Sequence, residues 1–188
     1  SVNGKTIAVL GCGICYDYLP ENRELRNAIS KNGCLISEHP PHAAATKYKV
    51  MNVSSITPIK NIALANGWDG GKDAKSRKFL SDLKQLFTEY NELPTTYLYN
   101  CYEEFMAGDF ELMFVHIREP KEIEKFKNRI PTRCVTLLVE RAQMSADWGN
   151  SSDDEVNQYA YDYTYQNNKP LEEAGADFID FLEQLDEK

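Results

Sequence analysis

The sequence predicts an α/β protein: a single three-layer α/β/α domain with a mainly parallel sheet of about five strands. Short apolar runs alternate with amphipathic helical segments along the chain, which is the pattern of parallel strands joined by crossover helices. The length of 188 residues suits one such domain, because it is enough for a continuous core and short for two independent ones.

The chain opens with a strand, a loop and a helix. Residues 5–13 read KTIAVLGCG, an apolar run that ends in a glycine turn. A helix is predicted for Glu21 to Lys31, and CLISE at 34–38 predicts a second strand. Gly11 and Gly13 let the backbone approach a ligand closely, so we predict that their amides bind phosphate. A lone G-x-G is a weak signal, since the third glycine and the Lys-Ser/Thr of a P-loop are missing.

This opening piece, GKTIAVLGCGICYDYLPENRELRNAISKNGCLISEHPP, resembles the Rossmann-like domain of the DNA-processing protein A family (DprA, also called Smf). The family pattern is a strand ending in V-L-G-x-G, then Y-P-x-E-N-R-E-L, a helix and L-I-S-E-x-P-P. The resemblance implies a Rossmann-like strand and loop, and a role in handling DNA. Two family features are absent: the earlier half of the unit with its nucleotide-site glycines, and the basic stretch after the double proline.

A third strand is predicted for Tyr48 to Ile56. Thr57 then caps a helix with Pro58 at its first position. A glycine-rich loop leads to a strongly amphipathic helix from Ala74 to Tyr90. The apolar residues predicted to face inward on that helix are Phe79, Leu80, Leu83, Leu86 and Phe87.

Leu112 to Ile117 is a short, nearly continuous apolar run, typical of a strand buried on both faces. We predict that it is a central parallel strand beside residues 6–10. A helix begins at Pro120, and Thr132 to Val139 is a further strand. The remaining predicted elements are a helix at Asn100 to Ala107, a polar loop at 148–154, an edge strand at Tyr161 to Tyr165 and a closing helix at Pro170 to Leu185.

The second piece, from about Val50 to the end, resembles phage and Firmicutes proteins of the P-loop nucleoside and nucleotide kinase superfamily. The motifs are SSITPIKNIALANGWDGGKDAKSRKFLSDLK, FVHIREPKEIEKFK, VTLLVERA, and NSSDDEV followed by YDYTYQN. The resemblance implies a phosphotransferase that uses ATP and Mg²⁺. The family's opening strand, Walker A loop and helix are missing, because no G-x-x-x-x-G-K-S/T occurs in the sequence.

The chain therefore looks like a mosaic within one domain, 1–188. A DprA-like strand-loop-helix-strand segment at 1–46 is joined to a kinase-like body at 47–188. Both families use parallel strands flanked by helices, so the first strand is able to fill the slot of the missing P-loop strand.

Composition limits the partners and the compartment. The net charge is −8, which disfavours general attraction to nucleic acid or anionic membrane. No apolar run approaches the length of a membrane span, and no secretory segment is visible at the start. The five cysteines have no metal-site spacing and predict reduced thiols in a cytoplasmic protein.

Charged residues at the strand ends and on the basic helix are the candidate site. Arg118 and Arg141 directly follow strands, where open α/β sheets place their ligands. Arg77, Lys78 and Lys84 lie on one helix and offer cations for a phosphorylated substrate. We predict that Arg77, Lys78, Arg118 and Arg141 converge on one cleft. Asp69 or Asp73 would supply a carboxylate linked to the metal of ATP, and no dedicated metal site is predicted.

Four functions remain open from the sequence. The first is a nucleotide- or phosphate-binding protein with impaired catalysis, since Gly11 to Tyr18 holds no Lys or Arg to grip the phosphates. The others are an active nucleoside or nucleotide kinase, a recombined fold without activity, and a DprA-like DNA-processing module. The predicted partner is a small nucleotide or phosphate ligand, with nucleic acid disfavoured.

Overall fold

The structure is a computed structural model that describes residues 5–11, 44–45, 47–71, 73–140 and 156–186. The strands are Thr6–Gly11 (β1), Val50–Ser54 (β2), Leu112–His116 (β3), Cys134–Glu140 (β4) and Tyr163–Gln166 (β5). The α-helices are Thr57–Ala65 (α1), Ala74–Asn91 (α2), Leu93–Ala107 (α3), Pro120–Arg129 (α4) and Leu171–Asp186 (α5). A short 3₁₀ turn at Val156–Gln158 precedes β5.

The five strands form one sheet in the order β2-β3-β1-β4-β5. β1 is parallel to β3 on one side and to β4 on the other, and β4 is parallel to β5. The predicted α/β class with a mainly parallel sheet is confirmed. β1 is the middle strand and lies beside β3, as the sequence predicts. β5 is an edge strand, although it begins two residues later than predicted.

Both faces of β1 are buried, which explains its continuous apolar run. Ala8 and Leu10 belong to a cluster on one face with Phe114 of β3 and with Phe178 and Leu182 of α5. Ile7 and Val9, which alternate with them, are fully buried as well. On α4, Ile123 and Phe126 are fully buried at helical spacing.

The chain forms two compact units. The first unit consists of Ser1–Asn52 and Asp109–Lys188, and the second consists of Val53–Gly108. The first holds β1, β3, β4 and β5 with α4 and α5. The second holds α1, α2 and α3, with a core that includes Ile59, Leu98 and Phe105. The prediction of a single domain over 1–188 stays a prediction.

Helix α2 differs from the prediction. None of its residues is buried, and Phe79, Leu86 and Tyr90 are 42%, 61% and 82% exposed. These three side chains share one stripe at i, i+7 and i+11. The inward orientation predicted for Phe79 and Leu86 is therefore wrong, whereas Leu80, Leu83 and Phe87, which were also predicted to face inward, are half-buried.

The helix boundaries also correct two details. α1 begins at Thr57 itself after Ile56, without a side-chain cap, while Pro58 lies in the first turn as predicted. α3 begins at Leu93, seven residues before the predicted Asn100. The predicted helix at 21–31, the strand at 34–38 and the loop at 148–154 lie outside the described residues. No helix in the described part of the chain is long and apolar enough to cross a membrane.

Candidate functional site

The carboxyl edge of the sheet is where the sequence predicts a ligand. Leu10 pairs with His116, and Gly11 pairs with Leu138, so β1 and β3 end at nearly the same level. Arg118 follows two residues after the end of β3. Parallel strands expose free backbone groups at this edge, and α/β proteins bind their ligands there. Gly11 and Arg118 therefore lie at the same edge of the first unit.

Gly11 lies against the ring of Tyr161. A Cβ added to Gly11 would come closer than 3.0 Å to the hydroxyl oxygen, Cζ and Cε1 of Tyr161. No other residue type leaves this space, so the glycine has a packing role that the sequence did not reveal. The phosphate-binding role of Gly11 stays a prediction, and Gly13 lies outside the described residues.

The Tyr161 hydroxyl is itself unusual. Its oxygen is buried, and no residue in the described part of the chain forms a hydrogen bond with it. Burial raises the pKa of this phenol to about 12. The group is therefore neutral near pH 7 and keeps its proton as a hydrogen-bond donor.

The residue after Tyr161 fixes its position. Asp162 Oδ2 accepts hydrogen bonds from the backbone N and from Oγ1 of Thr136, both at 2.8 Å. The backbone N of Asp162 donates in return to Thr136 Oγ1 at 2.9 Å. Lys127 Nζ of α4 lies 3.4 Å from the same carboxylate oxygen. Thr136 is fully buried in β4, so the segment is attached to the sheet.

Desolvation by burial acts to raise the pKa of Asp162, but the bonds from Thr136 and the charge of Lys127 outweigh it. The pKa of Asp162 is therefore lowered, and the carboxylate is ionised at neutral pH. This charge is the form that accepts both hydrogen bonds from Thr136.

Tyr159 supports Tyr161 from a second side. The two rings meet edge to face with centroids 5.0 Å apart, a favourable aromatic geometry. The Tyr159 hydroxyl donates to Glu124 of α4. β4 and α4 thus hold the 159–162 segment in place with Tyr161 against Gly11.

His116 and Asn52 form a polar pair near the end of β3. His116 Nε2 lies 2.7 Å from Asn52 Oδ1. Because an amide oxygen only accepts hydrogen bonds, Nε2 carries the hydrogen in this arrangement. Arg118 is half-buried beyond them. These side chains place hydrogen-bonding groups and a cation at the edge where β1 ends.

Glu140, the last residue of β4, accepts hydrogen bonds from two residues at the end of β5 and just after it. Gln166 Nε2 of β5 donates to the Glu140 carboxylate, and the backbone N of Asn167 donates to the Glu140 carbonyl at 2.8 Å. The predicted site residue Arg141, which follows Glu140, lies outside the described residues.

Asp69 and Asp73 have local structural roles in the second unit. Asp73 is the N-cap of α2, where its carboxylate accepts from the backbone N of Ser76 at 2.9 Å. This hydrogen bond is the main cause that lowers the pKa of Asp73. Asp69 Oδ1 accepts from the backbone N of Gly71 at 2.9 Å. Both carboxylates satisfy backbone amides, which is the usual work of Asp at helix starts and turns.

The three predicted cations of α2 do not share one face. Arg77 and Lys84 are seven residues apart and lie on the same side of the helix, whereas Lys78 projects about 100° away. Lys78 Nζ forms an ion pair with Asp82 at 2.7 Å. Convergence of the α2 cations with Arg118 stays a prediction, since these residues belong to different units.

The described residues give no ready metal site. Among them, no group of three or more His, Cys, Asp and Glu side chains is arranged to hold a metal ion. To bind a cation, Asp69 and Asp73 would have to give up their hydrogen bonds with backbone amides. The binding of ATP and Mg²⁺ stays a prediction.

Sequence reasoning missed Tyr161, Asn52 and His116 as parts of this edge. Tyr161 reads as one residue of an alternating edge strand, and its contact with Gly11 is a long-range one that no spacing encodes. His116 is a polar residue near the end of the apolar run 112–117, and a polar side chain at the carboxyl end of a strand indicates a ligand site in an α/β sheet.

Comparison with known proteins identifies one part of the chain. Residues 1–56 match the family described as DNA recombination-mediator protein A. A stretch of 39 residues is 51% identical to "Protein Smf" of Synechocystis sp.. This stretch is 21% of the chain and 10% of that relative. The chain thus spans a small part of the relative's length.

The family match contains β1, Gly11, Asn52 and β2, and it ends at residue 56. It confirms the first resemblance that the sequence shows. From residue 57 onward the kinase-like resemblance lies outside the family match, and it stays a prediction. The opening third of this chain is therefore similar to the DNA recombination-mediator protein A family, joined to a body that these comparisons do not assign.

Proposed function

We propose that this protein binds a phosphate-bearing ligand at the carboxyl edge of its parallel sheet, where β1 ends at Gly11. DNA is the ligand that the description of the matched family favours, and a mononucleotide offers the same phosphate chemistry. Arg118 supplies the cation of this site, and His116 and Asn52 supply hydrogen-bonding groups beside it.

The observation that carries this proposal is the position of β1. It is the middle strand, and its last residue is a buried glycine level with the end of β3. The matched stretch of residues 1–56 contains this strand and its glycine. A central strand that ends in glycine beside a basic strand end is a typical phosphate-binding arrangement in α/β proteins.

The negative net charge of the chain affects how strongly it is expected to bind a polyanion such as DNA. A net charge of −8 gives little general attraction for a polyanion, so contacts should be few and local. Each phosphate contact adds a slope of about −0.7 to the dependence of log affinity on log salt for single strands. We therefore expect a slope of about −1 to −2, in contrast to the steep dependence of strongly basic DNA-binding proteins.

Fluorescence anisotropy with a labelled oligothymidylate tests the proposal, with dTMP, ATP and inorganic phosphate as competitors. Arg118→Ala should weaken binding by about 1.5–3 kcal/mol, the usual contribution of a hydrogen bond to a charged group. Arg129→Ala is the matched control, because Arg129 lies in the last turn of α4, at the opposite end of that helix from Arg118. Equal losses in the two variants, or no binding by the unchanged protein, would contradict the proposal.

Competition separates the two ligand sources. Displacement of the oligonucleotide by dTMP at similar concentrations indicates a mononucleotide site. Displacement only by other oligonucleotides indicates that several phosphates or bases are contacted. Inorganic phosphate alone should compete weakly, since it lacks the base and sugar.

Phosphoryl transfer is a second candidate, which rests only on the resemblance of the later sequence motifs to nucleoside and nucleotide kinases. The sequence has no Walker A motif, and the lysine that grips the β and γ phosphates is missing. We expect no measurable ATP-dependent phosphorylation of nucleosides or dNMPs in a coupled ADP-release assay. Robust turnover that Arg118→Ala abolishes would reverse this expectation.

A further inference from the structure

The hydroxyl group of Tyr161 has no hydrogen-bond partner where it lies. Its oxygen is buried, and no acceptor or donor reaches it from the described residues. Buried hydroxyl groups in native proteins are almost always hydrogen-bonded, so an exception requires an explanation. A polar ligand atom at this position would satisfy the hydroxyl group.

The position of this hydroxyl points to the ligand site. The ring of Tyr161 reaches Gly11, the residue at which the middle strand of the sheet ends. The contact exists only because residue 11 lacks a Cβ. A phenol and a strand end are thus brought together at the edge where the proposed ligand binds.

Tyr161 is held there by groups that do not include its own hydroxyl. Asp162 is bonded to Thr136 of β4 and paired with Lys127 of α4. Tyr159 packs edge to face on the ring of Tyr161. The phenol is therefore positioned by its neighbours, and its hydroxyl group remains available for another partner.

The protonation state of Tyr161 suits a donor. Burial raises its pKa to about 12, so the hydroxyl carries a proton throughout the neutral range. A phosphate oxygen is a strong acceptor and offers no competing proton at this pH.

We propose that the Tyr161 hydroxyl donates a hydrogen bond to a phosphate oxygen of the ligand bound where β1 ends. This inference rests on the proposed function and deepens it. It assigns a ligand-positioning residue to a part of the chain outside residues 1–56, so the site is built from both pieces of the sequence.

Tyr161→Phe tests the inference, with Tyr163→Phe as the matched control. Tyr163 lies two residues later, at the start of β5, and packs against the core cluster. Tyr161→Phe should lower the affinity for the labelled oligothymidylate by about tenfold, as expected for a lost bond to a charged oxygen. Tyr163→Phe should leave the affinity unchanged.

Thermal unfolding of the free protein distinguishes a ligand role from a structural one. If the hydroxyl has no partner within the protein, Tyr161→Phe should unfold at the same or a higher temperature. A clear loss of thermal stability would show that the hydroxyl is bonded inside the protein, and it would overturn the inference.

The remaining outcomes are also decisive. Equal affinity of Tyr161→Phe and the unchanged protein overturns this inference and leaves the proposed function standing, provided that Arg118→Ala still weakens binding. No binding by the unchanged protein overturns both. Tenfold weaker binding with undiminished stability supports both.

Discussion

A single glycine at the end of β1 links packing to function in this protein. The ring of Tyr161 occupies the space in which the side chain of any other residue would begin. The G-x-G motif predicts backbone flexibility and phosphate binding, whereas the structure shows that Gly11 also makes room for an aromatic ring. The contact with Tyr161 is enough to require glycine at this position, and phosphate binding by Gly11 stays a prediction.

Gly11→Ala is expected to destabilise the protein by about 1–3 kcal/mol, as overpacking of a buried site usually does. The cause is the overlap of the new Cβ with the Tyr161 ring, so the effect should shrink when the ring is removed. A double-mutant cycle with Tyr161→Ala, followed by urea unfolding, measures this coupling. Additive losses would show that the ring does not lie against Gly11.

The ionised form of Asp162 should matter for the attachment of Tyr161. Its pKa is lowered in the folded state, so its stabilising contribution is present above the ordinary value of 3.8 and is lost as the pH falls through the lower folded value. Asp162→Asn should remove part of the stability at pH 7 and flatten its loss in acid. Thermal unfolding between neutral pH and the acid range measures both effects.

Asp177→Asn, on helix α5, is the control for that experiment. Asp177 accepts a hydrogen bond from the Tyr165 hydroxyl at 2.9 Å, away from Gly11. An equal change of the acid profile in both variants would contradict a special role for Asp162.

At the scale of elements, the sequence predicted the strands better than the helix faces. β1 and β3 are buried except at Thr6 and His116, and their short apolar runs leave little choice of structure. Helix α2 was predicted to be amphipathic, which is correct, but the orientation of its apolar stripe depends on neighbours that the sequence does not specify. The contact of Tyr161 with Gly11 was unpredictable for the same reason, since it joins residues from distant parts of the chain.

The exposed stripe of α2 gives a direct test of this orientation. Leu86→Ala should change the free energy of unfolding by no more than about 0.5 kcal/mol, because the side chain is mostly exposed. Leu98→Ala in α3 is the comparison, and it should cost about 2–5 kcal/mol because Leu98 is buried. Urea unfolding of both variants measures the difference. A large loss for Leu86→Ala would restore the inward orientation predicted from the sequence.

At the scale of the whole molecule, strands from different parts of the chain form one continuous sheet. β1 lies within residues 1–56, which match the DNA recombination-mediator protein A family, and β3 and β4 lie outside that match. The register between them is regular over five residue pairs on each side of β1. Parallel strands with apolar side chains on both faces pair with one another in the same way, so one such strand is able to take the place of another. A join between the matched residues 1–56 and the rest of the chain is therefore physically possible.

The last prediction concerns whether the two compact units unfold together. The chain leaves the first unit within β2 and returns to it at Asp109, so the second unit is an insertion with two covalent connections. We expect a single cooperative transition, in line with the single domain predicted from the sequence. Trp68 lies in the second unit, and Trp148→Phe leaves it as the sole tryptophan. Urea unfolding followed by Trp68 fluorescence should then coincide with the loss of far-UV circular dichroism. An earlier transition at Trp68 would show that Val53–Gly108 unfolds as a domain of its own.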